Sequence, residues 1–168
     1  MDHRLYNSFT YVCNLFLLVP AMSSSPIQVG FIGLSKTGWA STALAPSMLQ
    51  FKDKYALKAV STSSPESASA SAEKYTNELG YPVKAYHGDA SQIANDSGVG
   101  LVVVSVKAPL HRALVLPAIE AGKDVFIEWP AGANLKETTE IADAARQKGV
   151  KTIVGLQGRH SPVITKVS

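Results

Sequence analysis

Cysteine is almost missing from this chain. Cys13 is the only one in 168 residues, so neither a disulfide framework nor a cysteine-based metal centre can be built, and a reducing compartment suits the protein. No metal ligand set is expected. Lys and Arg exceed Asp and Glu by 16 to 13, a net charge of +3. These cations are scattered, so the clustered basic footprint of a nucleic-acid binder is lacking and no nucleic-acid contact is expected. No apolar run is long enough to span a bilayer, and no membrane partner is expected. Tandem repeats and long linkers are lacking too. What remains reads as one domain, with 46% apolar residues to build its core.

What is present is organised around Ile27-Gln28-Val29-Gly30-Phe31-Ile32-Gly33-Leu34-Ser35-Lys36-Thr37-Gly38-Trp39-Ala40. An apolar, β-branched run ends at a glycine, a short polar turn follows, and a helical stretch runs from Gly38 to Gln50, kinked or divided near Pro46. Strand, turn and helix together form the opening unit of a dinucleotide-binding fold. The spacing is G-x-S-x-x-G, with Ser35 where a second glycine normally stands. Gly33 frees the chain to leave the strand, and Gly38 is expected to let the helix pack close to the sheet. Ser35 keeps the site small and adds a hydroxyl, while its Cβ holds phosphates further off. Free N–H groups at the helix start favour an anion.

Downstream, strands and helices alternate. Strands are predicted at 55–61, 83–86, 100–106, 124–128 and 150–156, that at 100–106 being the most apolar and therefore central. Ser64-Pro65-Glu66 supplies an N-cap, a first-turn proline and an acidic first turn for a helix ending at Gly80; its alanines and serines suggest a thin surface helix. A short helix falls within 87–95, capped by Asp89. Helices at 111–121 and 135–148 follow, stopped by Gly122 and Gly149. Leu135, Ile141, Ala142 and Ala145 form the inner face of the last. The alternation predicts a doubly wound parallel α/β sheet.

Residues 1–25 do not resemble the rest. Residues 11–19 are mostly apolar, with Arg4 before them and Pro20-Ala21-Met22-Ser23-Ser24-Ser25 after. A weak signal peptide, a true start at Met22 and a disordered extension all fit. A cysteine-poor nucleotide-binding domain has little reason to be secreted. We therefore treat 1–25 as an extension and expect a cytoplasmic protein.

Four stretches together resemble one family. They are Val29-Gly30-Phe31-Ile32-Gly33, Pro109-Leu110-His111, Ala121 through Pro130 (AGKDVFIEWP), and Gly149-Val150. The pattern is similar to the N-terminal domain of the Gfo/Idh/MocA oxidoreductases, whose signature reads EAGKHVLxEKP. The resemblance covers about residues 27–160. The run from Thr152 to Pro162 (TIVGLQGRHSP) is similar to a fungal branch of that family, the regulators of galactose metabolism.

The resemblance implies a Rossmann NAD(P)-binding domain over residues 26–158, with 159–168 opening a linker toward the family's C-terminal α+β domain, which this sequence lacks. It implies NADP or NAD as cofactor, held by Gly33, Leu34, Ser35, Lys36, Thr37, Gly38, Ser61, Lys107, His111, Glu128, Trp129 and Gln157. Trp39 and Arg159 could line the same cleft. After the second strand, Ser61 to Ser63 stand where an NAD-preferring enzyme usually carries an acid. No acid comes before Glu66, so a 2′-phosphate meets no repulsion there and NAD is not excluded. His111 is the sole candidate for a catalytic proton donor, although a lone histidine opening a helix is more often structural. Trp129 replaces the family's lysine, and an indole cannot protonate an alkoxide.

Three functional classes follow: an NAD(P)-binding oxidoreductase fragment without activity of its own, a non-catalytic cofactor sensor acting through a protein partner, and an inert domain. For the second, nuclear residence would be natural. A homo-oligomer fits any of the three.

Overall fold

The computed structural model describes residues 25–156 and Lys166. Expectations for the extension before Ser25, for Gln157 and Arg159, and for the linker from 159 lie outside the described residues. Six strands form one sheet: β1 (Ile27–Ile32), β2 (Tyr55–Thr62), β3 (Lys84–His87), β4 (Leu101–Val104), β5 (Asp124–Glu128) and β6 (Thr152–Gly155). Their order is β3-β2-β1-β4-β5-β6, and every pairing is parallel. The order reverses between β1 and β4, which is where doubly wound sheets open a crevice at their carboxyl edge.

The helices are α1 (Trp39–Ala43), α2 (Ala45–Leu49), α3 (Pro65–Leu79), α4 (Ser91–Ala94), α5 (His111–Glu120) and α6 (Leu135–Lys148), with a 3₁₀ turn at Ala108–Leu110 before α5. Strand residues alternate between two cores. Val29, Phe31, Leu57 and Val103 pack with Leu44, Met48, Ala72 and Tyr75 on one face. Ile32, Val102, Val104 and Ile127 pack with Ile93, Val115, Ile119 and Ile141 on the other. All four residues of β4 are buried, as its uninterrupted apolar run predicts.

Local signals account for most boundaries. Ser64 Oγ accepts from Ser67 N, and Gly80, at φ 77, ends α3. The Asp89 carboxylate accepts from Ser91 N at 2.7 Å, so it serves the start of α4 although Ala90 is the capping residue. The first helix is divided, with Leu44 as the joint and Pro46 in the first turn of α2. Three expectations are corrected. The helix at 65–79 is no thin surface element: Ala68, Ser71, Ala72 and Tyr75 are buried in it. Leu135 is 82% exposed, so the inner face of α6 rests on Ile141 and Ala145; as the first residue of the helix, Leu135 precedes the stretch that contacts the sheet. The sixth strand is four residues long, with its first three exposed at the sheet edge.

Among the described residues, no helix is long and apolar enough to cross a membrane. No group of three or more His, Cys, Asp or Glu residues there could hold a metal ion.

Candidate functional site

β1 delivers the chain to the carboxyl edge of the sheet at Gly33. Its φ of +89° is a conformation that L side chains rarely adopt. A Cβ there would sit 2.0 Å from the carbonyl oxygen of Ser105. The turn is therefore pressed against the loop leaving β4, and Gly33 N also donates to Ser61 O of β2 at 2.8 Å. One residue thus joins the ends of three strands.

The turn that follows is shaped by small groups. Gly38 adopts an extended conformation before α1. A Cβ on it would meet Ser35 Oγ at 2.4 Å. This corrects its expected job: Gly38 makes room for the Ser35 hydroxyl within the turn, not for the sheet. Leu34 is fully buried and offers a ligand only its backbone, whereas Lys36 and Thr37 are exposed. Behind the turn, Ser71 Oγ of α3 donates to Leu34 O at 2.6 Å and Lys74 Nζ donates to Lys36 O at 3.1 Å.

Beside this turn lies a cleft of about 490 Å³. It is lined by Ile32, Gly33 and Ser35, by Ser61, Thr62 and Ser63 at the end of β2, by Ser67 in the first turn of α3, by Gly88 after β3, and by Val106 and Lys107 after β4 with Leu110, Ala113 and Leu114. The volume falls within the range of small-molecule sites, about 300–1,000 Å³. Ser61 itself is 1% exposed, and its carbonyl already holds Gly33; Ser63 is the exposed hydroxyl. The Glu66 carboxyl, near the cleft in the first turn of α3, is held below the ordinary range. Its own backbone N–H acts first, then the Ser64 side chain and the nearby His87, against a small effect of burial.

A second cluster stands at the ends of β4 and β5. Glu128 accepts from Ser105 Oγ at 2.5 Å through one oxygen and from Trp39 Nε1 at 3.1 Å through the other. It therefore links β4, β5 and the start of α1. Trp39 and Trp129 are 63% and 67% exposed. His111 does not face either opening. It is 1% exposed, and its ring nitrogens lie 2.9 Å from Pro130 O and 2.9 Å from Val106 O. As a proton donor to a ligand it has no free nitrogen; it ties the loop after β4 to the loop after β5.

The anticipated residues thus divide. Gly33, Ser35, Ser61 and Lys107 line the cleft, Leu34, Lys36, Thr37 and Gly38 complete the turn, Glu128 and Trp129 stand at the second cluster, and His111 lies beneath. Ser71, Lys74, Ser105 and Gly88 were missed. Gly88, at φ +80, could have been flagged by its place directly after a strand. The others carry no local signal, because their partners lie 23 to 38 residues away in sequence.

Comparison with known proteins adds a family. The GFO_IDH_MocA profile, an oxidoreductase family with an NAD-binding Rossmann fold, matches residues 27–156. Dehydrogenase aclE of Aspergillus oryzae is 39% identical over 148 residues, 86% of this chain and 39% of that protein. The galactose/lactose metabolism regulatory protein GAL80 of Saccharomyces cerevisiae is 29% identical over 175 residues, 99% of this chain and 37% of that protein. The crystal structure of its super-repressor mutant E351K superposes with a TM-score of 0.72 at 28% identity, over 84% of this chain and 37% of the mutant. An NAD-binding oxidoreductase from Klebsiella pneumoniae gives 0.66 at 29% identity, over 84% of this chain and 37% of its own. The chain spans 37–39% of the length of these relatives.

Proposed function

This chain belongs to the Gfo/Idh/MocA oxidoreductase family, with its NAD-binding Rossmann fold, and on that footing we propose that it binds NAD(P) along the carboxyl edge of its sheet. The observation that carries the proposal is the cleft walled by the Gly33 turn, the serines ending β2 and the loop after β4. Its walls Leu110, Ala113 and Leu114 are apolar and suit a planar base. The turn from Gly33 to Gly38 would hold the phosphates through its backbone. Glu128 and Trp129 would stand toward the nicotinamide half. When bound, the cofactor supplies hydride chemistry; the chain supplies binding and orientation.

Between NAD and NADP, the end of β2 takes no side. Ser61 to Ser63 carry no acid to claim a ribose 2′-hydroxyl and no cation to claim a 2′-phosphate. Lys107 in the lining of the cleft favours phosphate in general, and Glu66 in the first turn of α3 opposes it. We expect both cofactors to bind. The test is titration calorimetry of the wild type and Gly33→Val with each cofactor, with folding followed by circular dichroism. The valine is β-branched at a positive φ and strikes Ser105 O, so binding should fall more than about tenfold. Equal affinities, or a wild type that binds neither cofactor, would overturn the reading.

A second reading draws on Trp129. An exposed indole stands where the family's catalytic lysine is expected, so the domain suits a cofactor sensor that presents its bound state to a protein partner or to a second copy of itself. Such a sensor would work in the cytoplasm or the nucleus.

A further inference from the structure

We propose that Ser71 and Lys74 of α3 are positioning residues that draw the carbonyls of the 33–38 turn backward, so that its N–H groups face the phosphates of a bound dinucleotide. The inference rests on the NAD(P)-binding reading above and names residues outside the glycine motif.

In a trans peptide the carbonyl and the following N–H point in opposite directions. Trp129–Pro130 is the cis bond among the described residues, so the Leu34–Ser35 and Lys36–Thr37 units are trans. Ser71 Oγ donates to the first carbonyl and Lys74 Nζ to the second. Holding Leu34 O and Lys36 O against α3 therefore turns the Ser35 and Thr37 N–H groups away from α3. Ser35 itself lines the cleft, and its N–H, which donates to Gly33 O at 3.2 Å, would share that long bond with a phosphate oxygen.

The spacing matches the task. Ser71 and Lys74 are three residues apart, hence on one face of the helix, about 4.5 Å along its axis. They reach carbonyls two residues apart in the turn. Ser71 is fully buried. A buried helical serine can satisfy its hydroxyl on the carbonyl one turn before it. Ser71 instead reaches Leu34, 37 residues away, at 2.6 Å. Lys74 is steadied by Glu78 at 3.9 Å and by the ring of Tyr75, 5.0 Å from its ammonium. The clamp also matters more here than in a motif with a second glycine. The Ser35 side chain narrows the conformations open to the turn and must nest against Gly38.

Ser71 gives the cleaner test, because its hydroxyl is neutral and lies behind the turn, so its loss changes no charge near a ligand. The full chain is titrated with ADP-ribose, which carries both phosphates, and with adenosine, which carries none. Amide hydrogen exchange of residues 35–38 is followed by NMR in the free protein. Ser71→Ala should weaken ADP-ribose by about 3- to 10-fold, the worth of one buried hydrogen bond. Adenosine should be left within about twofold by the same argument, the turn amides should exchange faster, and Ser71→Thr should restore both. Unchanged ADP-ribose affinity, or an equal loss for adenosine, would overturn the clamp. If Ser71→Ala does not fold, Lys74→Met carries the test through exchange of the Thr37 amide; unaltered exchange there defeats the proposal. A wild type that binds neither ligand sinks the dinucleotide reading itself. A wild type that binds both, with Ser71→Ala unaffected, sinks only the clamp.

Discussion

Asp96 shows what a single buried carboxylate does at the opposite edge of the sheet from the cleft. It is 8% exposed. Its oxygens accept from Lys84 Nζ at 2.9 Å, Tyr86 OH at 3.1 Å and Gly98 N at 2.9 Å. Lys123 Nζ donates to its backbone carbonyl and to Val99 O. The amino ends of β3, β4 and β5 are thus gathered on one residue. Burial alone would raise its pKa; the bonds from Lys84, Gly98 and Tyr86 outweigh it, so the carboxyl is held below its ordinary value of 3.8. The sign follows. A group whose folded pKa is depressed contributes stability above its unfolded pKa, and that contribution is lost as pH falls through the folded value. Asp96 should therefore stabilise the fold fully at neutral pH and progressively less below about pH 4. Asp96→Ala should cost about 1–3 kcal/mol at pH 7, because it removes a buried charged acceptor of three hydrogen bonds whose half-buried or exposed donors can still turn to water. Urea unfolding of wild type and variant from pH 7 downward checks this, and the gap should narrow as the solution turns acid. A gap independent of pH would mean that packing, not charge, holds this edge.

At the scale of elements, α6 was the most legible helix, and its first turn explains why. Asn134 Oδ1 accepts from Glu137 N at 3.0 Å, and Glu137 Oε2 accepts in return from Ala133 N at 3.0 Å. Gly149, at φ 67, closes the far end. All of these contacts span four residues or fewer, so composition and spacing alone can announce them. Asn134→Ala should lower stability by about 1 kcal/mol, read as a drop of a few degrees in the melting temperature; no drop would show that tertiary packing alone fixes the helix. The same logic separates what the sequence could and could not reveal. The strands of the interior show as apolar runs, because both faces of the sheet are covered. Leu135 misled because periodicity assigns a face but not where along a helix the contact begins. The helix at 65–79 misled because small residues such as Ala68 and Ser71 read as solvent-facing when they are in fact buried, Ser71 against the turn itself. The glycine turn was visible through its spacing. The walls of the cleft, drawn from β2, β3, β4 and α5, come together only through the order of the strands.

For the whole molecule, the question is whether binding leads to chemistry. The chain spans 37–39% of the length of its curated relatives, so activity must be argued from the groups that the described residues supply. Hydride transfer to or from an alcohol carbon needs a substrate held in near-attack geometry and a group that takes or gives the hydroxyl proton. Around the second cluster, three side chains could be asked to do this. His111 is sealed beneath the surface between two carbonyl oxygens. Trp129 has no proton to exchange at any physiological pH. Glu128 is engaged by Ser105 and Trp39, so recruiting it as a base would break the link between β4, β5 and α1. Both indoles stand 63–67% exposed beside it, which leaves water free to compete at that end of the cleft. Binding without turnover is therefore the expected behaviour of this polypeptide. The measurement is the absorbance of reduced cofactor in mixtures of the purified chain with NAD or NADP and a panel of sugars and polyols. The wild type should give no rate above that of Gly33→Val. A clear rate above it would overturn this expectation and return Glu128 to consideration as a base. If the wild type is silent, Trp129→Lys tells the two remaining causes apart: a gained rate means that only the proton donor was lacking, and continued silence means that nothing in this chain holds a substrate against the nicotinamide.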